Sequence, residues 1–209
     1  ERATKRSEDS VLLLAVSKKH PADAIREAIA CGQRDFGENY AQELAQKCED
    51  IGQDAAIWHF IGPLQSNKTA IVAKHAHWCH SVDRLKIAKR LSEQRPDGMP
   101  DLQVCIEVNI DEEESKSGVM PAEVEALAKE ISKLPHLTLR GLMCIPLASA
   151  DPTRQRASFA HLQQLQHDLI RKGFELDTLS MGMSADYHEA ISQGSTIVRI
   201  GTAIFGARQ

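Results

Sequence analysis

Short apolar runs alternating with stretches of helical periodicity constrain this chain most, because the pair recurs from one end to the other. The first run is Leu12-Leu13-Leu14-Ala15-Val16. A helix then opens near Pro21, turns Ile25, Ala28 and Ile29 to one face and stops at Gly32. Strands are expected at 35–38, 58–61 and 78–82. Helices follow them at about 40–48, at about 66–75 and after Asp83, which reads as an N-cap for Leu85, Ile87, Ala88 and Leu91. The clearest strand is 102–110, where Val104, Ile106, Val108 and Ile110 alternate, and Pro121 opens a helix to about Lys133. Strand 137–145 leads into a long helix of about 152–172, with Phe159, Leu162, Leu165, Leu169 and Ile170 as its apolar stripe. Strands at 178–181 and 196–200, with a helix near 187–193 between them, complete the pattern.

Eight strand–helix units in 209 residues imply parallel strands joined by helical crossovers. A doubly wound sheet uses the same alternation. The count of eight, the short runs and their even spacing favour an α/β fold of the single (β/α)8 TIM-barrel type, one domain over 1–209. The net charge of -4 gives no sign of a nucleic-acid or acidic-membrane partner. No apolar run approaches the roughly 20 residues that span a bilayer. The five cysteines are odd in number, widely spaced and without a C-x-x-C pair, which points to a reducing compartment, by default the cytoplasm.

In such a barrel the chemistry belongs at the C-terminal ends of the strands. Lys18 closes the first run there. Partial desolvation would lower its pKa and free the amine as a Schiff-base nucleophile, although Lys18 and Lys19 also read as ordinary surface lysines. Gly182, Ser184, Gly201 and Thr202, after the seventh and eighth strands, let backbone N–H groups approach an anion, or simply permit tight turns. Arg199, inside the apolar run Ile197-Val198-Arg199-Ile200, needs a partner such as a pyridine nitrogen or a carboxylate. His75, His77, Cys79 and His80 fit no zinc spacing, and no metal site is expected. The acidic run 111–114 reads as a solvated loop, and Lys116 beyond it as a surface lysine or a second, mobile amine at the barrel mouth.

The motifs Ala15-Val16-Ser17-Lys18, Phe36-Gly37-Glu38-Asn39-Tyr40, His59-Phe60-Ile61-Gly62-Pro63-Leu64-Gln65-Ser66-Asn67-Lys68, Ser115-Lys116-Ser117-Gly118, Gly141-Leu142-Met143, Ser180-Met181-Gly182-Met183-Ser184 and the run from Val198 to Gly206 resemble, in order, the pyridoxal-phosphate homeostasis protein family. That family is similar to the N-terminal barrel of alanine racemase. The resemblance implies a fold-type-III barrel binding pyridoxal 5'-phosphate (PLP), with Lys18 as the Schiff-base lysine. It also implies Ser184, Gly201 and Thr202 at the phosphate and Arg199 facing the pyridine nitrogen. Asn39, His59 and Met183 match further positions at the barrel mouth. Members carry a longer N-terminal helix than residues 1–10 supply, so that element is expected to be incomplete.

A carrier or buffer of PLP in vitamin B6 homeostasis is expected, not an enzyme. An arginine at the pyridine nitrogen weakens the ring as an electron sink, and racemisation needs an acid/base group on each face. The chain has only Tyr40 and Tyr187 as tyrosines, and it lacks the β domain that supplies one in alanine racemase. The alternatives are a fold-type-III PLP enzyme such as an amino-acid racemase, and a phosphate-ligand barrel without a Schiff base. PLP-dependent apoenzymes are candidate recipients, and without the racemase dimer contact a monomer is expected.

Overall fold

The fold is that of a computed structural model, described for residues 1, 4, 6–113 and 116–206. Part of the N-terminal segment, Glu114 of the acidic loop and Ser115 of the Ser115–Gly118 motif lie outside the described residues. The strands β1 (Leu12–Val16), β2 (Asp35–Glu38), β3 (Ile57–Phe60), β4 (Trp78–Val82), β5 (Leu102–Glu107), β6 (Leu137–Met143), β7 (Thr178–Met183) and β8 (Ile197–Ile200) form one closed barrel in sequence order. Every neighbouring pair is parallel, and β1 closes on β8 with Leu12 opposite Ile197 and Ala15 opposite Ile200. The helices between them are α1 (Ala22–Ala30), α2 (Ala41–Ile51), α3 (Thr69–His75), α4 (Leu85–Gln94), α5 (Val124–Ile131), α6 (Pro152–Arg171) and α7 (Tyr187–Ser192). The (β/α)8 expectation is met.

The main core lies between strands and helices. Phe36, Trp58, Val104 and Ile106 point outward from the barrel and pack with Leu44, Val72, Ile87, Leu91, Ile131 and Phe159 of the helical layer. The lumen differs from the layers of branched aliphatics that usually fill such a barrel. Its apolar content includes a small cluster of Leu14, Val16, Ile61 and Ile197, and a side chain at Gly37 would press on Ile61 and Leu14. The buried polar residues include His59, His80, Ser180 and Arg199.

The structure differs from the sequence reading at several boundaries. Asp83 does not cap α4: the N-cap is Arg84, and the Asp83 carboxylate is taken up by the Arg84 guanidinium at 2.6 Å. β5 ends at Glu107, because beyond it the chain pairs with the loop at Val119, where Val108 makes an isolated parallel bridge. β7 runs two residues further than expected, to Met183. A last short helix, α8 (Thr202–Phe205), follows β8 and was not anticipated, since four residues carry too little helical period to read.

Candidate functional site

At the C-terminal end of the barrel, the loops after β1, β2, β3, β6, β7 and β8 converge on one cleft. Its walls are Val16, Lys18, His20, Asn39, Ile61, Ile145, Met183, Ser184, Arg199, Gly201 and Thr202. Seven of the eight sequence-expected residues are therefore brought together: Lys18, Asn39, Met183, Ser184, Arg199, Gly201 and Thr202. His59 is the correction. Alternation turns it into the lumen, but one layer below the mouth, where it is fully buried, and Ile61 takes the mouth position.

Lys18 stands half-buried in a tight turn directly after β1, closed by the His20 N–H donating to the Ser17 carbonyl at 3.0 Å. Lys19 takes a left-handed φ of 63° to complete it. The turn is fastened from behind. Lys47 on α2 donates to the Ser17 carbonyl, to Glu38 Oε1 and to Glu43 Oε1, each at 2.7 Å. The Ser17 hydroxyl donates to Glu38 Oε1 at 2.6 Å, and the Lys19 N–H donates to Glu43 at 2.5 Å. Burial pushes Glu38 up to about 7, against the pull of the Lys47 ammonium, and Glu38 Oε2 is buried without a partner. The peptide that presents Lys18 is thus pinned by two carboxylates and an ammonium that never reach the cleft.

Across the cleft, Arg199 is 4% exposed and its guanidinium donates to the Ser180 carbonyl (2.6 Å), the Ser180 hydroxyl (2.8 Å) and the Cys144 carbonyl (2.9 Å). The partner required by a charge on an apolar strand is thus supplied by neutral oxygens. The anion-type wall is set by Gly182, whose φ of 95° and whose missing Cβ, which would lie 2.5 Å from Ala190 Cβ, turn the chain from β7 toward Ser184. Gly201 lets the end of β8 lie close to the Val16 carbonyl and opens α8, so that its first N–H groups have no intrahelical acceptor. Asn39 is held at the rim by the close backbone approach of Gly62, and its Oδ1 is buried without a hydrogen-bond partner. His20 stacks on Phe205 with ring centroids 5.1 Å apart.

A family description, that of the alanine racemase N-terminal domain, matches residues 1–209. Three curated relatives each carry the name pyridoxal phosphate homeostasis protein. The one from Vibrio cholerae is 58% identical over 97% of this chain and 88% of its own, and that from Pseudomonas aeruginosa is 56% identical over 99% and 88%. The one from Escherichia coli K12 is 52% identical over 97% and 88%. The chain belongs to this family. Among solved structures, PipY of Synechococcus elongatus with PLP bound is 36% identical, with a TM-score of 0.87 over 98% of this chain and 96% of that one. Alanine racemase from Corynebacterium glutamicum, 20% identical, matches 95% of this chain with 56% of its own at a TM-score of 0.74, which places the barrel in the same fold.

In this member of the family, sequence reasoning missed the apolar walls Val16, Ile61 and Ile145, and it missed His20. A signal for His20 was present, since it lies two residues beyond Lys18 in the same turn. The remaining candidates sit elsewhere. Lys116 donates to the Ile145 carbonyl at 3.2 Å, at the edge of the cleft but not on its wall. Neither Tyr40, half exposed, nor Tyr187, stacked on His188, lines the cleft. Of the histidine-rich stretch, His77 Nδ1 accepts from the Trp58 N–H, Cys79 packs outward into the main core and His80 faces the lumen.

Proposed function

We propose that this chain holds PLP as a Schiff base on Lys18 and carries or buffers it in vitamin B6 homeostasis, without turning over a substrate. The observation that carries the reading is a convergence. An amine, a guanidinium, a glycine-and-hydroxyl wall and an unpartnered buried amide oxygen line one cleft, in a chain 36% identical to a protein solved with PLP bound. The residues fit the cofactor. Lys18 would supply the amine for its aldehyde, while Ser184, Thr202 and the backbone at Gly201 would hold its phosphate. Arg199, Asn39, with its unpartnered Oδ1, and Met183 would hold the ring. When bound, PLP supplies an electron sink, and an arginine at its nitrogen opposes ring protonation and weakens that sink.

The chain's own residues favour holding over catalysis. Racemisation needs acid/base groups on both faces, and both tyrosines stand off the cleft. A masked, reversibly bound aldehyde suits delivery to PLP-dependent apoenzymes in the cytoplasm by a monomeric carrier. The enzyme reading has one observation in its favour: His20 is a second titratable side chain on the cleft wall beside Lys18. Turnover of an amino acid at about 1 per second or faster, abolished in His20→Ala, would establish it in place of the carrier.

The deciding experiment is visible absorbance of the purified protein mixed with PLP, repeated on Lys18→Ala and followed by borohydride reduction and mass spectrometry. Wild type is expected to show the Schiff-base band and a reduced adduct on Lys18, both absent in Lys18→Ala. A protein that shows no Schiff-base band beyond the absorbance of free PLP would leave a barrel with a phosphate-type site and no Schiff base. Label confined to Lys18 would dispose of Lys116 as a second amine.

A further inference from the structure

Arg199 is the end of a longer structure. Its Nη1 donates to Ser180 Oγ at 2.8 Å, and Ser180 Oγ lies 2.7 Å from His80 Nδ1. His80 Nε2 lies 2.9 Å from His59 Nδ1, and His59 Nε2 lies 3.0 Å from Asp35 Oδ1. The links step from β2 to β3 to β4, cross the lumen to β7 and finish on β8. Asp35 opens β2 at the end of the barrel opposite the cleft, its side chain 13% exposed. His59, His80 and Ser180 are fully buried, and Trp78 stacks flat on His59, centroids 5.5 Å apart and planes at 8°, with the Arg140 guanidinium on the indole.

The direction of every hydrogen bond in this chain follows from its two ends. A carboxylate only accepts, so His59 must present Nε2–H to Asp35. A neutral His59 then has a bare Nδ1, which requires Nε2–H on His80. A neutral His80 in turn has a bare Nδ1, which requires the Ser180 hydroxyl proton. Ser180 Oγ is left with lone pairs, and Arg199, which can only donate, fills one of them. Burial lowers the pKa of both imidazoles, His80 well below its usual value, so the neutral forms assumed at each step are the stable ones. Reversing any single link sets two protons or two lone pairs against each other. A hydroxyl that donates its own proton is also the stronger acceptor for the next donor.

We infer that Asp35 is a positioning residue for the cofactor site at the other end of the barrel: by fixing the tautomers of His59 and His80 it orients the Ser180 hydroxyl, which seats Arg199. The inference rests on the PLP reading above. It concerns residues that touch no part of the cleft, since Asp35, His59, His80 and Ser180 are all absent from its walls.

The first test needs no cofactor. Nitrogen-15 NMR of the imidazoles in the PLP-free protein at neutral pH is expected to show His59 and His80 both uncharged and both protonated on Nε2. An Nδ1–H tautomer or an imidazolium at either position overturns the inference, even if no variant folds. The second test is Asp35→Ala. The His80 tautomer signature is expected to change, and the Kd for PLP, read from the visible band, is expected to rise about fivefold, or roughly 1 kcal/mol. A variant that keeps the wild-type tautomers and the wild-type Kd, whatever it loses in melting temperature, makes Asp35 merely structural. A wild-type protein that takes up no PLP would fail the functional reading, while the NMR result would still judge the hydrogen-bond chain.

Discussion

Behind β1 the polar cluster around Lys47 is ionic; within the lumen the run from Asp35 to Arg199 is neutral over its three middle members. The first fastens the turn that carries Lys18 and the second ends on Arg199 in the cleft, yet they act by different physics. The outer cluster sets one ammonium among Glu38, Glu43 and the Ser17 carbonyl, so charge carries much of its strength, and it tolerates an unpartnered Glu38 Oε2. The inner run keeps charge at its ends and passes only hydrogen-bond direction between them. Pinning a backbone turn asks for force. Aiming a guanidinium that already has two carbonyl partners asks for orientation.

The comparison breaks most easily at Lys47. In Lys47→Met, Glu38 and Glu43 lose their counter-ion in a buried layer, and a loss of about 3–5 kcal/mol in unfolding free energy is expected, measured by denaturant titration. Adding Glu38→Gln to that variant should return part of the loss, because a buried carboxyl that must take up a proton on losing Lys47 is removed. A single-variant loss below about 1 kcal/mol would mean that the outer cluster is solvated and not ionic in the sense argued here.

Glu38→Gln alone sharpens the contrast through pH. Glu38 titrates near 4.5 when unfolded and at about 7 when folded, so the folded state binds the proton more tightly. Its contribution to stability is complete below pH 4.5 and is lost as pH rises through 7, by about 3 kcal/mol. The lumen histidines work in the opposite sense: their folded pKa values lie below 6.5, so their contribution is present above 6.5 and fades as pH falls. Unfolding free energies measured from pH 4.5 to 8 should therefore show the wild type falling relative to Glu38→Gln as pH rises. Parallel curves would place the Glu38 pKa near its unfolded value.

The two clusters were unequally legible in the sequence. β1 was readable to the residue as an apolar run, β2 and β4 as short segments between helical patterns, and the barrel rule then put Lys18, Asn39, Ser184, Arg199 and Thr202 at strand ends. Alternation says only which way a side chain turns, not how deep it sits. The resemblance put His59 at the mouth, but it lies one residue inside the end of β3 and is fully buried. The link between His80 and Ser180 joins positions 100 apart across a lumen, and no local pattern announces it. Lys47 looked like any polar residue of an amphipathic helix, because the carboxylates that claim it come from β2 and from the first turn of α2.

The smallest effect separates direction from force most sharply. Ser180→Ala removes one oxygen and leaves Arg199 its bonds to the Ser180 and Cys144 carbonyls, so the guanidinium stays in the cleft. What is lost is the proton on His80 Nδ1 and the acceptor on Arg199 Nη1, two neutral or singly charged links worth together about 1–2 kcal/mol, well under the expected loss at Lys47. His80 loses the donor to its Nδ1 but keeps its own proton on Nε2, because the bare His59 Nδ1 set by Asp35 still requires it. Denaturant unfolding of Ser180→Ala should show the modest loss, and nitrogen-15 NMR should show His59 and His80 both still protonated on Nε2. A loss as large as that of Lys47→Met would mean that the lumen run bears load like the ionic cluster, and that the difference between the two regions lies in place and not in kind.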